Sequence, residues 1–183
     1  MKTFTGVAVA LVCMSCSVYA ATQKGTEVGS VQMLSKSSIA ENAATSPVLT
    51  MFAADMKSAG LEGKLNDKGP YTVFAPTDDA FKKLPAGTVD GLQKPENSAD
   101  LTKVVTYLVV PGKITSSKLK KMVHKGHGTA TLTSMEGEAI TVKTAGDVIT
   151  LTDVKGDSAV ILTADVPQKN GLIHIVDAVL LPN

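Results

Sequence analysis

Two short segments about a hundred residues apart constrain the fold of this chain more than any other feature of its sequence. In residues 69–81, apolar side chains recur at every second position from Tyr71 to Ala75, as they do along a strand, and Pro76 ends the run. In residues 170–182, an Asn-Gly turn leads into a run rich in Ile and Val. Each segment therefore predicts a strand joined to a turn or to the start of a helix.

The rest of the chain divides into a helical half and a strand half. Apolar residues recur at spacings of three and four within 48–56, 101–108 and 119–123, which predicts amphipathic helices. From residue 130 onward, five runs rich in Val, Ile, Leu and Thr alternate with turns that contain Gly. Helices first and strands later, with one early strand at 71–75, predict an α+β domain.

Several residues predict where the helices begin and end. Ser38 and Glu41 fit a capping box, in which each side chain bonds the backbone of the other. Ser46 and the Pro that follows it are expected to start the second helix, and Gly60 to end it. Ser98 is expected to cap the third helix.

The N-terminal residues 1–20 have the pattern of a secretory signal peptide. Lys2 precedes an apolar stretch at 7–14, and small residues before Ala21 suit cleavage after Ala20. The apolar stretch is shorter than the roughly 20 residues that a membrane span needs. An alternative is a lipoprotein leader, cleaved before Cys16 and lipidated on its sulfur. Residues 21–32 are polar and small and predict a flexible lead-in, which leaves 33–183 for a single domain.

Composition limits the partners that the chain can bind. All 18 basic residues are Lys, so the planar Arg fork that grips phosphate at two points is absent. The formal net charge is only +1 at pH 7, which gives no strong basic field. These two features argue against nucleic acid. Both cysteines lie within the predicted leader, so no disulfide is expected in the mature chain.

Together, in this order and at this separation, residues 69–81 and 170–182 resemble the two signature segments of the fasciclin domain. Further similarity at 84–89 and 93–97 extends the resemblance to nearly the whole of 33–183. The signature positions that match are Phe74, Ala75, Pro76, Thr77, Asp78, Phe81, Asn170, Gly171, His174 and Asp177. The resemblance implies a twisted β-sandwich or wedge with several helices packed along one side.

The resemblance also implies two places where a partner could bind. Tyr107 matches the family's Tyr-His pair, a region implicated in integrin adhesion in animal members, but Leu108 stands where His is usual. Asp165 and Val166 resemble an Asp-Ile pair from an integrin-recognition motif of animal relatives. Each has a simpler interpretation, because Leu108 completes the apolar stripe of its own helix and Asp165 can bond the turn backbone.

A third candidate surface comes from charge alone. Lys118, Lys120, Lys121 and Lys125 cluster on one predicted helix and could meet an acidic polysaccharide or an anionic surface. The simpler interpretation is a solvated helix face.

Residues that invite a catalytic or metal-binding role have simpler interpretations. Asp78 and Asp79 suit the positive end of the helix that Thr77 caps. His174 lies among apolar neighbours, which favours a core histidine bonded to backbone or to Asp177. His124 and His127 lack the third and fourth ligands that a zinc site needs. We therefore expect no cofactor and no metal.

The sequence as a whole predicts a secreted or periplasmic bacterial adhesion or matrix-interaction module that is non-catalytic. Its expected partner is an extracellular or cell-surface protein or polysaccharide. One alternative is a periplasmic carrier of a small apolar ligand, or a partner of another envelope protein. A hydrolase that uses His124, His127 or His174 as its base is a further alternative.

Overall fold

The structure is a computed structural model that describes residues 25–28, 31–66, 69–84, 91 and 97–183. The predicted signal peptide and most of the similarity at 84–89 and 93–97 lie outside these residues. The helices are α1 (Ile39–Thr45), α2 (Thr50–Ser58), α3 (Glu62–Asn66), α4 (Asp78–Lys82), α5 (Ser98–Tyr107) and α6 (Ser116–Lys125). The strands are β1 (Gly25–Val28), β2 (Val31–Leu34), β3 (Tyr71–Pro76), β4 (Val109–Pro111), β5 (Thr129–Thr133), β6 (Ala139–Ala145), β7 (Val148–Thr152), β8 (Ser158–Gln168) and β9 (Gly171–Val176).

Seven of these strands form one sheet in the order β4-β3-β9-β8-β7-β6-β5. The pair β3 and β9 is parallel, and the other neighbours are antiparallel. The two edges approach each other, since the Met135 N–H after β5 donates to the Val109 carbonyl of β4 at 2.7 Å. The sheet thus wraps nearly into a barrel, and the predicted α+β, fasciclin-like architecture is confirmed.

The two signature segments form the centre of the sheet. Tyr71 lies opposite Gly171 and the register continues to Pro76 opposite Val176. Every residue of β9 is buried, and so is every residue of β3 after Tyr71. A strand with both faces covered has no polar face, which explains why apolar residues fill it almost continuously.

Asn170 and Gly171 connect this central pair to the helices. The Asn170 side chain accepts a hydrogen bond from the Ile39 N–H of α1 at 3.1 Å and donates to the Leu65 carbonyl of α3. Its backbone carbonyl accepts from the Tyr71 N–H at 3.0 Å. A Cβ at Gly171 would lie 1.9 Å from the Tyr71 carbonyl oxygen, so no side chain fits there.

The helix ends agree with the sequence at three places, and one of them is Thr77, whose side chain accepts from the Ala80 N–H at 3.2 Å and caps α4. Ser38 and Glu41 form both bonds of the predicted capping box. Gly60 ends α2 with φ of 66°, and the Leu61 N–H reaches back to the Met56 carbonyl at 3.0 Å. This is the glycine-terminated helix end that Gly60 predicts.

Three other predicted boundaries differ from the structure. Ser46 ends α1 instead of starting α2, which begins at Thr50. Ser98 is the first residue of α5, and Asn97 holds the cap position. Within the predicted lead-in at 21–32, β1 pairs with β2. Strands of four residues have too little periodicity to be recognised, so their pairing in the folded chain decides the outcome.

Among the described residues, no helix is both long enough and apolar enough to span a membrane.

The close approach at Gly171 gives the first testable prediction. Gly171→Ala should lower the free energy of unfolding by about 3 kcal/mol or more, because the added methyl group meets the rigid Tyr71 backbone. Gly63→Ala is the matched control, since nothing lies within 4 Å of its Cβ position in α3. That change should leave stability equal or slightly higher. Urea unfolding of both variants measures this, and equal midpoints would contradict the tight packing.

Candidate interaction surface around helix α6

Local sequence fixes the limits of helix α6. The Thr115 side chain accepts from the Lys118 N–H at 3.3 Å and caps the first turn. Leu119 and Val123 are buried and attach the helix to the core. At the other end, a Cβ at Gly126 would lie 1.9 Å from the Thr129 carbonyl oxygen, so the chain can turn sharply into β5 only with Gly there.

Three of the four predicted lysines form one stripe along α6. Lys118, Lys121 and Lys125 are exposed and recur at spacings of three and four, so they share one face and span about 10 Å of the helix axis. None of them makes an ion pair with another described residue. We refer to these three residues as the lysine stripe. Helix α6 contains no Asp or Glu.

Lys120 does not belong to the lysine stripe. Its ammonium group pairs with the Asp147 carboxylate at 2.6 Å, and the hydrogen bond lowers the pKa of Asp147. From sequence alone, Lys120 groups with Lys118 and Lys121 because a run of lysines does not show which of them has an ion-pair partner. On a helix, however, neighbours in sequence point in different directions.

Asp165 lies directly at the start of α6. Its carboxylate accepts from the Ser116 N–H at 2.8 Å and from the Ser116 hydroxyl group. The residue sits at a register shift of β8 and has φ of 59°, a conformation that Asp tolerates better than most residues. A carboxylate at this position satisfies a free helical N–H and opposes the positive end of the helix. The structure therefore brings the Asp165 candidate and the lysine candidate together.

The buried side chain of His174 fixes the positions of Asp165 and of the loop before α6. Its ring is fully buried and stacks on Phe74, with ring centroids 5.5 Å apart. The Nδ1 atom accepts from the Asp165 N–H at 3.2 Å, so Nε2 carries the proton and donates to the Ile114 carbonyl at 2.8 Å. One ring thus connects β9 to β8 and to the loop before α6. The core-histidine interpretation is confirmed, with backbone partners and not Asp177.

Burial determines the protonation state of this ring. Desolvation lowers the pKa of His174, and it outweighs the Ile114 hydrogen bond and the Asp165 charge, which both act to raise it. The neutral ring also fits its partners, because a protonated Nδ1 could not accept from the Asp165 N–H. With both nitrogens bonded to backbone, His174 has no free lone pair for a substrate.

The structure contradicts a partner contact at Tyr107, Leu108 or Val166. All three side chains are buried, with at most 1% of their surface exposed. The Tyr107 hydroxyl donates to the Ala139 carbonyl at 3.0 Å, and burial raises the pKa of Tyr107 to about 12. Tyr107 and Leu108 face the core because α5 packs against α2 and β4, and Val166 is a buried residue of β8. Of the Asp165 and Val166 pair, only Asp165 reaches the surface.

The remaining signature carboxylates serve backbone groups of other elements. Asp78 lies in the first turn of α4, as predicted, and it also caps α2, because it accepts from the Met51 N–H at 2.9 Å and from the Thr50 hydroxyl at 2.7 Å. Asp177 accepts from the Val160 N–H at 2.7 Å. Sequence reasoning missed the cap on α2, although Leu49, the residue that precedes α2, has no side chain able to cap it.

The other histidines lie on the surface. His124 is exposed in the last turn of α6, and His127 is exposed just after it with φ of 53°. Within the described part of the chain, no group of three or more His, Cys, Asp or Glu side chains could hold a metal ion.

A groove whose position the sequence did not indicate lies beside the start of α2. It has a volume of about 490 Å³ and lies between the start of α2, α4, β8 and the end of β9. Its apolar lining comes from Pro47, Val48, Leu162 and Ile175, and Leu162 is 60% exposed. The rest of its lining is polar or charged and comes from Thr77, Asp78, Asp79, Lys82, Lys83, Thr163 and Asp177. Residues from four separate parts of the chain meet here, so no local pattern could show it.

Comparison with known proteins assigns this chain to a family. Residues 47–182 match the family model described as the Fasciclin domain, and the chain belongs to the fasciclin family. The predicted domain bounds of 33–183 are wider than this match and stay a prediction.

Two relatives are similar along almost the whole chain. The chain is 38% identical to Protein sll1483 of Synechocystis sp. over 178 residues, covering 97% of this chain and 92% of that protein. It is 33% identical to Immunogenic protein MPB70 of Mycobacterium bovis over 181 residues, covering 94% of this chain and 82% of that protein.

A solved structure shows the same fold. A FAS1 domain pair from the insect cell adhesion molecule fasciclin I matches with a TM-score of 0.71 at 18% identity. The match covers 79% of this chain and 51% of that one, so the chain spans about half the length of the pair.

The His174 contacts predict a pH dependence of stability. The free energy of unfolding should fall as the pH drops below about 6.5, because the unfolded ring takes up a proton at its ordinary pKa while the folded ring resists. One proton gives a slope of at most about 1.4 kcal/mol per pH unit. His174→Gln, which keeps a donor and an acceptor, should flatten this slope. Exposed His124→Gln is the control and should keep it.

Urea unfolding at about pH 7.5, 6.5 and 5.5 measures these slopes. Identical slopes for the wild type and His174→Gln would show that other groups control acid stability.

Proposed function

We propose that the chain is a secreted or periplasmic adhesion or matrix-interaction module that acts without catalysis. It binds an extracellular or cell-surface protein or polysaccharide through the surface of α6 beside Asp165. One observation carries this proposal: three exposed lysines without ion-pair partners in the described structure stand on a helix that is fixed at its start by Asp165 and His174. A rigid, charged and fully exposed face is suited to association.

The relatives support the proposed location and role. Cell surface glycolipoprotein MPB83 of Mycobacterium bovis is 31% identical over 181 residues, which cover 94% of this chain and 72% of that protein. The structural match comes from a cell adhesion molecule. The pattern of a signal peptide at 1–20 agrees with export, and lipidation at Cys16 is the alternative route to a cell surface.

The contacts of the histidines support a non-catalytic role. A general base needs a nitrogen within reach of a substrate proton. His174 is buried and bonds backbone through both nitrogens. His124 and His127 are exposed, but neither makes a hydrogen bond to a carboxylate among the described residues. The hydrolase alternative therefore lacks an oriented base.

An attachment assay tests this proposal. A surface coated with the purified protein should retain host cells or fragments of their matrix. Replacing the three stripe lysines with Glu should remove this retention, because like charges then meet the partner. The matched control reverses three other exposed lysines, Lys36, Lys57 and Lys155, and should retain cells as the wild type does. No retention above an albumin-coated surface would overturn the proposal.

The groove supports a second candidate, a carrier of a small apolar ligand. Its volume of about 490 Å³ lies within the range of small-molecule sites, roughly 300–1,000 Å³. A Leu side chain that is 60% exposed at its rim would be covered by a bound apolar group.

Native mass spectrometry of protein purified from its own host tests the carrier. A retained ligand should appear as added mass, and Leu162→Asp should remove it by replacing the exposed apolar side chain at the rim with a charged one. Val154→Asp is the control, because Val154 is also exposed but does not line the groove. A bare mass for the wild-type protein would exclude a tightly held ligand.

A further inference from the structure

We infer that the partner of the lysine stripe is a linear acidic polysaccharide. This inference rests on the proposed function and names the chemistry of its partner. The stripe presents three ammonium groups in a row along about 10 Å of helix, which suits an extended chain with repeated negative charges. Lys supplies point charges on flexible stems, so it can follow carboxylate or sulfate groups of variable geometry.

Lys125 lies in the last turn, where a cation is favoured, but the other features of the stripe are unfavourable for the helix itself. Lys118 occupies the third helical position, near the positive end of the helix, where an acidic residue is favoured. Lys118 and Lys121, and Lys121 and Lys125, are like-charge neighbours at spacings of three and four, and such pairs destabilise a helix. No acidic residue of α6 offsets this repulsion. A bound polyanion would relieve it.

The composition of the stripe argues against a protein partner. The centres of protein interfaces are rich in aromatic residues, Met and Arg and are depleted in Lys. The apolar residues of α6, Leu119 and Val123, are buried, and Met122 is half-buried. The large apolar side chains exposed in the described structure are Val148, Val154 and Leu162, and none of them lies on α6. The stripe thus lacks an apolar anchor for a protein interface.

The same facts argue against a lipid surface. A helix that lies in a membrane interface inserts an apolar face, and that face of α6 already packs in the core. Electrostatic binding to anionic lipid alone usually needs clusters of about four to eight basic residues. The stripe has three, since Lys120 is paired with Asp147. A hydrated polysaccharide needs neither an apolar anchor nor a large cluster.

A binding experiment with defined polymers tests this inference. The probe is polygalacturonate, with uncharged dextran and vesicles of phosphatidylglycerol as alternatives. We expect saturable binding of polygalacturonate that weakens as salt is raised. Replacing the three stripe lysines with Gln should weaken binding about tenfold or more, as the sum of three modest charge contacts. The control variant Lys36→Gln, Lys57→Gln, Lys155→Gln removes the same charge elsewhere and should change binding less than about twofold.

Thermal unfolding separates a binding role of the stripe from a structural one. Without polymer, the stripe variant should melt at the same temperature as the wild type or higher, because helical repulsion is removed. Polygalacturonate should raise the melting temperature of the wild type and of the control variant, but not that of the stripe variant. A stripe variant that melts lower without polymer would show that the lysines stabilise the fold, and would contradict the inference.

The outcomes distinguish this inference from the proposed function. Equal binding of polygalacturonate by the stripe and control variants would overturn the inference. So would binding to the vesicles without binding to polygalacturonate, or equal binding of dextran. If cell attachment in the coated-surface assay nevertheless depended on the stripe, the proposed function would stand with a partner of another chemistry. If neither polygalacturonate binding nor cell attachment depended on the stripe, the inference and the proposed function would both be overturned.

Discussion

The parallel pairing of β3 with β9 is the constraint on which the rest of this structure depends. It joins two strands about a hundred residues apart in sequence, so everything between Pro76 and Gly171 forms one long excursion from the centre of the sheet. Bringing distant strands together costs loop entropy that only extensive burial can offset. This requirement explains the fully buried strands and the absence of any side chain at Gly171, where the two backbones approach most closely.

Polar residues at the ends of this central pair attach the surrounding elements. Asn170 bonds α1 and α3, Asp78 caps α2, Asp177 holds β8, and His174 reaches β8 and the loop before α6. Each side chain satisfies a backbone group of an element distant in sequence. Buried or capping bonds of this kind are costly to leave unmade, so these residues determine the positions of helices and strands around the sheet. These four signature residues therefore connect separate elements of the fold.

The sequence predicted those features that depend on neighbouring residues. The capping box at Ser38, the end of α2 at Gly60 and the strands after residue 130 all follow from local spacing, and they were found. Features that depend on distant contacts were missed. The sequence placed Asp78 correctly in the first turn of its own helix but did not show its bond to α2, which lies about 27 residues earlier. Tyr107 was proposed as a contact residue from the resemblance to the family, and nothing in its local sequence shows that its hydroxyl bonds the Ala139 carbonyl in the core.

The candidate surface on α6 combines both kinds of information. Its charge was visible in the sequence, but the split between the lysine stripe and Lys120 depends on Asp147, a residue of the turn before β7. Helix α6 tolerates the repulsion along its stripe because other contacts compensate for it. Thr115 and Asp165 satisfy its first N–H groups, and buried side chains on its opposite face hold it to the core. A helix stabilised by its surroundings can carry charges that it would not stabilise alone, so the lysine stripe can serve the proposed partner without support from its own helix.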